Sequence, residues 1–310
     1  MKICFISIIV FMLTSCSGGK EKVLLDNFPQ DIHKAQIEIV SSLSGNQSIT
    51  SEGSVLNARA TVQERELSRA YLVELLTQLS IEPNEQHYRQ KNSNPLVDIL
   101  VGPFKGTNIY GILPATLQTD QYIILGAHYD TARHCPGAND NASSIALLYG
   151  VAKRLSELKT RKYNILIVFF DQEEEELIGS KAFVRYIRKK KYTIHSAHTF
   201  DQIGWDKDKD RAIELELPSI ELEEVYKVQG IRRGIPIYTT KVNSTDHQSF
   251  RDIGINAVGI TEEYVNKDTS PFKDTPKDTF ETINFQYLES TTNLVYEVIK
   301  TIVSKNIKDE

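Results

Sequence analysis

Two apolar runs, Tyr122-Ile-Ile-Leu125 and Tyr163 to Phe170, restrict the folds open to this chain more than any other feature. Neither run alternates. A strand that is hydrophobic at every position needs cover on both faces, which is the condition of a buried parallel strand. Between the two, Asn141–Leu158 sets Ile145, Leu148, Ala152 and Leu155 at helical spacing. Strand, helix, strand at this interval is a βαβ unit, so the chain is predicted to be α/β.

Other segments add elements around that unit. Helices are predicted over Gln30–Val40, Val62–Leu79, Ser180–Lys190, Ile220–Gln229 (ended by Gly230) and Phe285–Val303. Strands are predicted over Leu96–Val101, Asn108–Leu113, His198–Phe200, Ile235–Thr239 and Ala257–Ile260, with Gly102-Pro-Phe-Lys-Gly106 as a turn between the first two. Ala212–Leu217 alternates Ile213, Leu215 and Leu217 with Glu214 and Glu216, which predicts a half-exposed strand with its glutamates in solvent. Residues 44–57 read as a loop. No internal repeat is visible, and residues 28–310 read as one domain.

The 310 residues are 40% hydrophobic and 25% charged, ordinary for a globular protein. A formal net charge of −5 argues against nucleic acid as a partner, because binding phosphates needs a basic face. The basic run Arg188-Lys-Lys-Lys191 reads as the solvated end of a helix, where cations suit the dipole.

The chemistry-bearing residues gather at strand ends. The first apolar run leads into Gly126-Ala-His-Tyr-Asp130 and then Pro136-Gly-Ala-Asn-Asp140. The second ends in Phe170-Asp-Gln-Glu-Glu-Glu-Glu176, and Phe200 is followed by Asp201-Gln-Ile-Gly204. A fourth cluster, Lys273-Asp-Thr-Pro-Lys-Asp278, precedes the last helix. Each has an ordinary explanation alone: a helix cap, a first-turn carboxylate, a surface histidine. Together they are the ligand types of a hydrolytic metal site, and carboxylates crowded together repel unless a cation sits among them. Two metals about 3.5–4 Å apart need a bridging carboxylate and several terminal ligands.

Here the sequence resembles the co-catalytic zinc aminopeptidases, a family that includes bacterial leucyl aminopeptidases, glutamate carboxypeptidase-like proteins and glutaminyl cyclases. The residues that carry the resemblance are Gly126-Ala-His-Tyr-Asp130, Gly137-Ala-Asn-Asp-Asn-Ala-Ser143, Glu173-Glu174 with Leu177-Ile-Gly-Ser180, Asp201-Gln-Ile-Gly204, and Asp246-His247 with Gly254-Ile255. They occur in order over about residues 95–280. The resemblance implies a single-domain three-layer sandwich, with a mostly parallel mixed sheet and helices on both faces. It implies two divalent ions, expected to be zinc. His128 and Asp201 would hold one, Glu174 the other, and Asp140 would bridge them. Glu173 would be the general base, and Asp130 would orient His128.

Two positions depart from the family pattern. Where the family has His in His-Thr-x-x-Asp-Thr, this chain has Asp274-Thr-Pro-Lys-Asp-Thr279. Asp274 as a ligand would make the second ion's shell all oxygen and favour a harder ion such as manganese, with cobalt also open. Glu176 stands where the family usually has Gly. His247 matches a family position that is not a ligand, and Cys135 reads as a buried thiol. The implied activity is removal of N-terminal residues from peptides with a free N-terminus. Rival readings are a glutaminyl cyclase, a non-catalytic binding relative, and a carboxypeptidase or dipeptidase.

The first residues are not part of the fold. Lys2 precedes an apolar segment, Ile3–Leu13, that is too short to span a bilayer. Leu13-Thr-Ser-Cys16 resembles the lipobox of bacterial lipoproteins, which implies a signal peptide over 1–16, lipidation at Cys16 and a tether over 17–27. The expected place is then the bacterial cell envelope, with membrane contact only through the lipid anchor. Of the three cysteines, Cys4, Cys16 and Cys135, only Cys135 would remain as a thiol, which leaves no internal disulfide framework.

Overall fold

The computed structural model describes residues 28–92 and 95–304. The expected signal peptide, Cys16 and the tether lie outside the described residues. The helices are α1 (Gln30–Leu43), α2 (Val62–Gln78), α3 (Pro95–Val101), α4 (Ser144–Ser156), α5 (Ile178–Lys190), α6 (Ile220–Arg233), α7 (His247–Arg251) and α8 (Phe285–Ser304). The strands are β1 (Pro83–Gln90), β2 (Phe104–Leu113), β3 (Gln121–His128), β4 (Asn164–Phe170), β5 (Thr193–Phe200), β6 (Ile213–Glu216), β7 (Ile237–Thr240) and β8 (Ala257–Thr261).

All eight strands share one sheet, in the order β1-β2-β4-β3-β5-β8-β6-β7. Strand β3 pairs parallel with both β4 and β5, as its unbroken hydrophobicity requires. The β5–β8 and β6–β7 pairs are also parallel, whereas β1–β2, β2–β4 and β6–β8 are antiparallel. Alternate side chains divide between two cores. Ile123, Leu125 and Ala127 of β3, with Ile165, Ile167 and Phe169 of β4, pack with α1, α2, α4, α6 and α8. Ile124, Leu166, Val168 and Phe170 pack on the other face with Phe183 and Ile187 of α5 and Phe250 of α7. The arrangement is the α/β fold, mixed and covered on both faces, that the sequence predicts. No described helix is long and apolar enough to cross a membrane.

The sequence misreads several places, each for a physical reason. Leu96–Val101 is helix α3 rather than a strand, because a short apolar run carries no period to separate the two. The edge strand is instead β1, Pro83-Asn-Glu-Gln-His-Tyr-Arg-Gln90, whose polar sequence suits a strand with one neighbour. Its partner β2 begins at Phe104, inside the predicted turn.

Glu214 and Glu216 are buried at 1% and 4% exposure, not solvated. Strand β6 lies between β8 and β7, and each glutamate finds an internal donor: Val265 N–H to Glu214 at 2.8 Å, and the Thr245 hydroxyl to Glu216 at 2.7 Å. Helix α6 continues past Gly230 to Arg233, and Gly234 in the left-handed region (φ 63°) caps it. Gly230 serves packing: a Cβ there would come within 2.5 Å of Ile237 Cγ1. Regular helix begins only at Ser144, because residues 138–143 form an irregular turn with Asp140 at φ −107° and ψ 87°.

Candidate metal centre

The C-terminal ends of β3, β4 and β5 are neighbours, and the polar clusters that follow them meet above the sheet. This is where open α/β sheets place their sites. His128 is the last residue of β3, and Asp201 immediately follows β5. Glu173 and Glu174 lie in the turn between β4 and α5, and Asp274 lies in the loop before α8. Asp140 comes from the irregular turn that leads into α4.

That turn is held from several directions. The carboxylate of Asp278 accepts the backbone N–H groups of Asn139 (2.8 Å) and Asp140 (3.0 Å). The side chain of Asn141 donates to Phe200 O at 3.0 Å and accepts the Gln202 N–H at 3.2 Å, tying the turn to the end of β5. Arg59, fully buried, donates to the carbonyls of Leu43 (2.6 Å), Tyr129 (2.6 Å), Pro136 (2.7 Å) and Gly137 (2.9 Å). Gly137 has φ 65°, and a Cβ there would sit 2.4 Å from Asp140 O. Glycine is therefore required both for the backbone angle and for the space.

Nε2 of His128 lies 3.2 Å from Asp140 Oδ1 and 3.4 Å from Asp201 Oδ1. Its Nδ1 is 3.2 Å from Asp130 O and 3.5 Å from Asp130 Oδ1. The stronger bonds of the Asp130 carboxylate go elsewhere, to the N–H groups of Glu173 (2.9 Å) and Glu174 (3.2 Å). Asp130 thus positions the glutamate pair as well as the imidazole. Glu173 Oε2 reaches within 4.0 Å of His128 Nε2.

Two sets of ligand atoms emerge: His128, Asp140 and Asp201, all buried, and Asp140, Glu174 and Asp274, of which Asp274 is exposed. Within each set the atoms lie within 4.8 Å of one another. Asp140 belongs to both. Its Oδ1 is buried and has no hydrogen-bond partner among the described residues, a costly state for a carboxylate oxygen unless a cation takes it. One imidazole with two carboxylates suits zinc, and three carboxylates suit a harder ion, so the residues fit a divalent metal centre. Glu173 belongs to neither set.

Electrostatics agree. Burial works against charge on His128, but Glu173, Asp201, Asp130 and Asp140 outweigh it and raise its pKa well above the usual value. Burial, reinforced by Asp140, pushes Glu174 up to about 8. Glu173 is raised well above the ordinary carboxylate range, chiefly by burial and against the pull of His128. These are the perturbations expected where several carboxylates converge on one imidazole out of water.

All seven site residues singled out from the sequence therefore come together: His128, Asp130, Asp140, Glu173, Glu174, Asp201 and Asp274. His247 does not join them; its Nδ1 faces the Thr245 hydroxyl (2.8 Å) and Glu216 (3.4 Å). Three supporting residues have no sequence-assigned role. Asp278 and Lys273, whose ammonium lies 3.8 Å from Asp140 Oδ2, stand in the cluster before the last helix, so their neighbourhood is legible in the sequence. Arg59 carries no signal, because nothing in a lone Arg near a loop tells that it will be buried.

Residues 108–299 match peptidase family M28. The chain belongs to that family. All seven residues fall inside the M28 match. Among individual proteins, the chain is 27% identical over 212 residues to aminopeptidase YwaD of Bacillus subtilis, covering 65% of this chain and 46% of that protein. The chain thus spans about half the length of this relative. The fold is similar to that of BSAP, a zinc aminopeptidase from Bacillus subtilis, with a TM-score of 0.75 at 15% identity over 90% of this chain and 96% of that one. It is also similar to Bacteroides thetaiotaomicron glutaminyl cyclase, with a TM-score of 0.71 at 19% identity over 90% of this chain and 100% of that one.

Proposed function

We propose that this M28 chain is a metal-dependent exopeptidase that hydrolyses the first peptide bond of substrates with a free N-terminus. One observation carries the reading: Asp140 is shared by two ligand sets while Glu173, within 4.0 Å of His128 and next to Glu174 in the chain, belongs to neither. His128, Asp140 and Asp201 would hold zinc, and Asp140, Glu174 and Asp274 give room for a second ion, with manganese or cobalt suited to its oxygen ligands. A divalent ion there supplies an acidified water and a polarised scissile carbonyl.

The chain's own residues do the rest. Glu173 takes the proton from the attacking water and returns it to the leaving amine. Burial raises its pKa above the ordinary carboxylate range, which makes it a stronger base than a solvated carboxylate. Asp130 holds Glu173 and Glu174 by their backbone and His128 by its ring, so the base and the ligands keep one geometry. The acidic surroundings favour a protonated substrate amine.

The deciding experiment is hydrolysis of a panel of aminoacyl anilides by protein stripped of metal and then given zinc, manganese or cobalt. Activity that vanishes on stripping and returns with metal is the expected result. Folded protein with no turnover under any metal, but release of ammonia from an N-terminal Gln peptide, would replace the peptidase reading with a cyclase. The proposal extends to placement: Leu13-Thr-Ser-Cys16 would anchor the enzyme in a bacterial envelope through lipid on Cys16. Fatty-acid labelling that survives Cys16→Ala would remove that anchor.

A further inference from the structure

A carboxylate that bridges two ions through both its oxygens offers one to each. The two oxygens of Asp140 are not equivalent. Oδ1 is buried, 3.2 Å from Nε2 of His128, and receives no hydrogen bond among the described residues. Oδ2 is engaged: it accepts the side-chain amide of Gln202 at 3.2 Å, and the ammonium of Lys273 stands 3.8 Å away. Gln202 is itself fixed, because its Oε1 accepts the Tyr264 hydroxyl.

The two ligand sets are unequal in other respects. The first is buried throughout, whereas Asp274 in the second is exposed. Oε1 of Glu174 already accepts the Ala132 N–H at 3.0 Å. Lys273 precedes Asp274, whose φ of 57° puts a left-handed turn at the point where the loop reaches the site. A side chain other than glycine or asparagine adopts that conformation only where surrounding contacts hold it.

We propose that Lys273 is a tethered counter-ion for the shared carboxylate, so that the chain holds one divalent ion tightly among His128, Asp140 and Asp201 while the Asp140–Glu174–Asp274 set fills only at high metal concentration. The ammonium already balances Oδ2, the oxygen left for a second ion, and it repels a cation placed a few ångströms away. The inference rests on the metal-dependent reading above. It deepens that reading by making the two positions unequal and by naming the residue responsible.

The test is metal stoichiometry, which does not depend on turnover. The whole folded chain is stripped, equilibrated with micromolar zinc and dialysed, and its zinc is counted by mass spectrometry. Competition with a chromophoric chelator then gives each affinity. The wild type is expected to retain one zinc and Lys273→Met two, the second bound on the order of 100-fold more tightly than in the wild type. Lys273→Arg, which keeps the charge, is expected to retain one, and Asp201→Asn is expected to lose the tight ion. Lys273 is exposed at 42% of its side chain, so the Met variant should fold, and its melting temperature checks this. Two equally tight ions in the wild type, or a single ion in a folded Lys273→Met, would overturn the proposal while leaving the metal centre standing. No retained ion in the wild type would overturn the metal centre and this inference together.

Discussion

The carboxylate of Asp130 accepts the backbone N–H of Glu173 at 2.9 Å and that of Glu174 at 3.2 Å, so the residue two places after His128 also fixes the turn that follows the neighbouring strand. Asp130→Asn would replace one accepting oxygen with a donor facing an N–H. We expect it to lower kcat/KM and zinc affinity by about 10–100-fold, in line with other residues that orient metal ligands. Steady-state kinetics and chelator competition on the same preparation check this. A loss of affinity with kcat unchanged would confine Asp130 to the imidazole.

Glu173→Gln preserves the side chain's shape and leaves both ligand sets intact. The variant should retain the wild-type metal content and lose about 10²–10⁴ in kcat, the usual contribution of a positioned general base. Unchanged kcat would remove Glu173 from that role. Lost metal would instead make it a ligand.

Arg59 is fully buried and satisfies four backbone carbonyls in two separate segments. Arg59→Met keeps much of the volume but leaves those carbonyls without their donor. We expect a loss of about 3–5 kcal/mol in unfolding free energy. Urea denaturation gives the value. A change below about 1 kcal/mol would mean that the carbonyls find other partners.

Glu216 yields a pH dependence. Burial raises its pKa from 4.5 to about 8, with the charges of Asp201 and Glu214 adding to the effect and the Thr245 hydroxyl opposing it. The folded chain therefore keeps a proton that the unfolded chain releases. The resulting stability is fully present below about pH 4.5 and is lost as pH rises through about 8. Glu216→Gln removes this contribution, so its melting temperature relative to wild type should climb between pH 5 and 9. Calorimetry across that range checks it, and a constant difference would mean that Glu216 is ionised throughout.

The sequence discloses most of the fold wherever burial is symmetric. Strands β3 and β4 are apolar at nearly every position because helices cover both faces, so their length and direction can be read directly. Strand β1 and helix α3 are misread because the signal there is ambiguous or absent: an edge strand need not alternate, and a seven-residue apolar run has no period. Glu214 and Glu216 alternate like solvent-facing residues, yet their partners come from Val265 and Thr245, which no local pattern links to them.

At the site, the ligand residues stand out because strand ends concentrate them. The residues that hold the ligands in place stand out less. Arg59 and Gln202 act through backbone carbonyls and a side-chain amide, contacts that depend on three-dimensional closure rather than on residue spacing.

The turn that presents Asp140 is gripped from both ends of the chain, by Arg59 on the Gly137 carbonyl and by Asp278 on the Asn139 and Asp140 amides. Synthesis runs from the N-terminus, so a growing chain that has passed Glu174 and Asp201 still lacks the clamp that fixes the shared carboxylate. The two hydrogen bonds to Asp278 can form only once that residue has left the ribosome. The shared carboxylate is in this sense set last, and a product ending before Asp278 would carry His128, Asp140, Glu173, Glu174 and Asp201 without the side chain that holds their common turn.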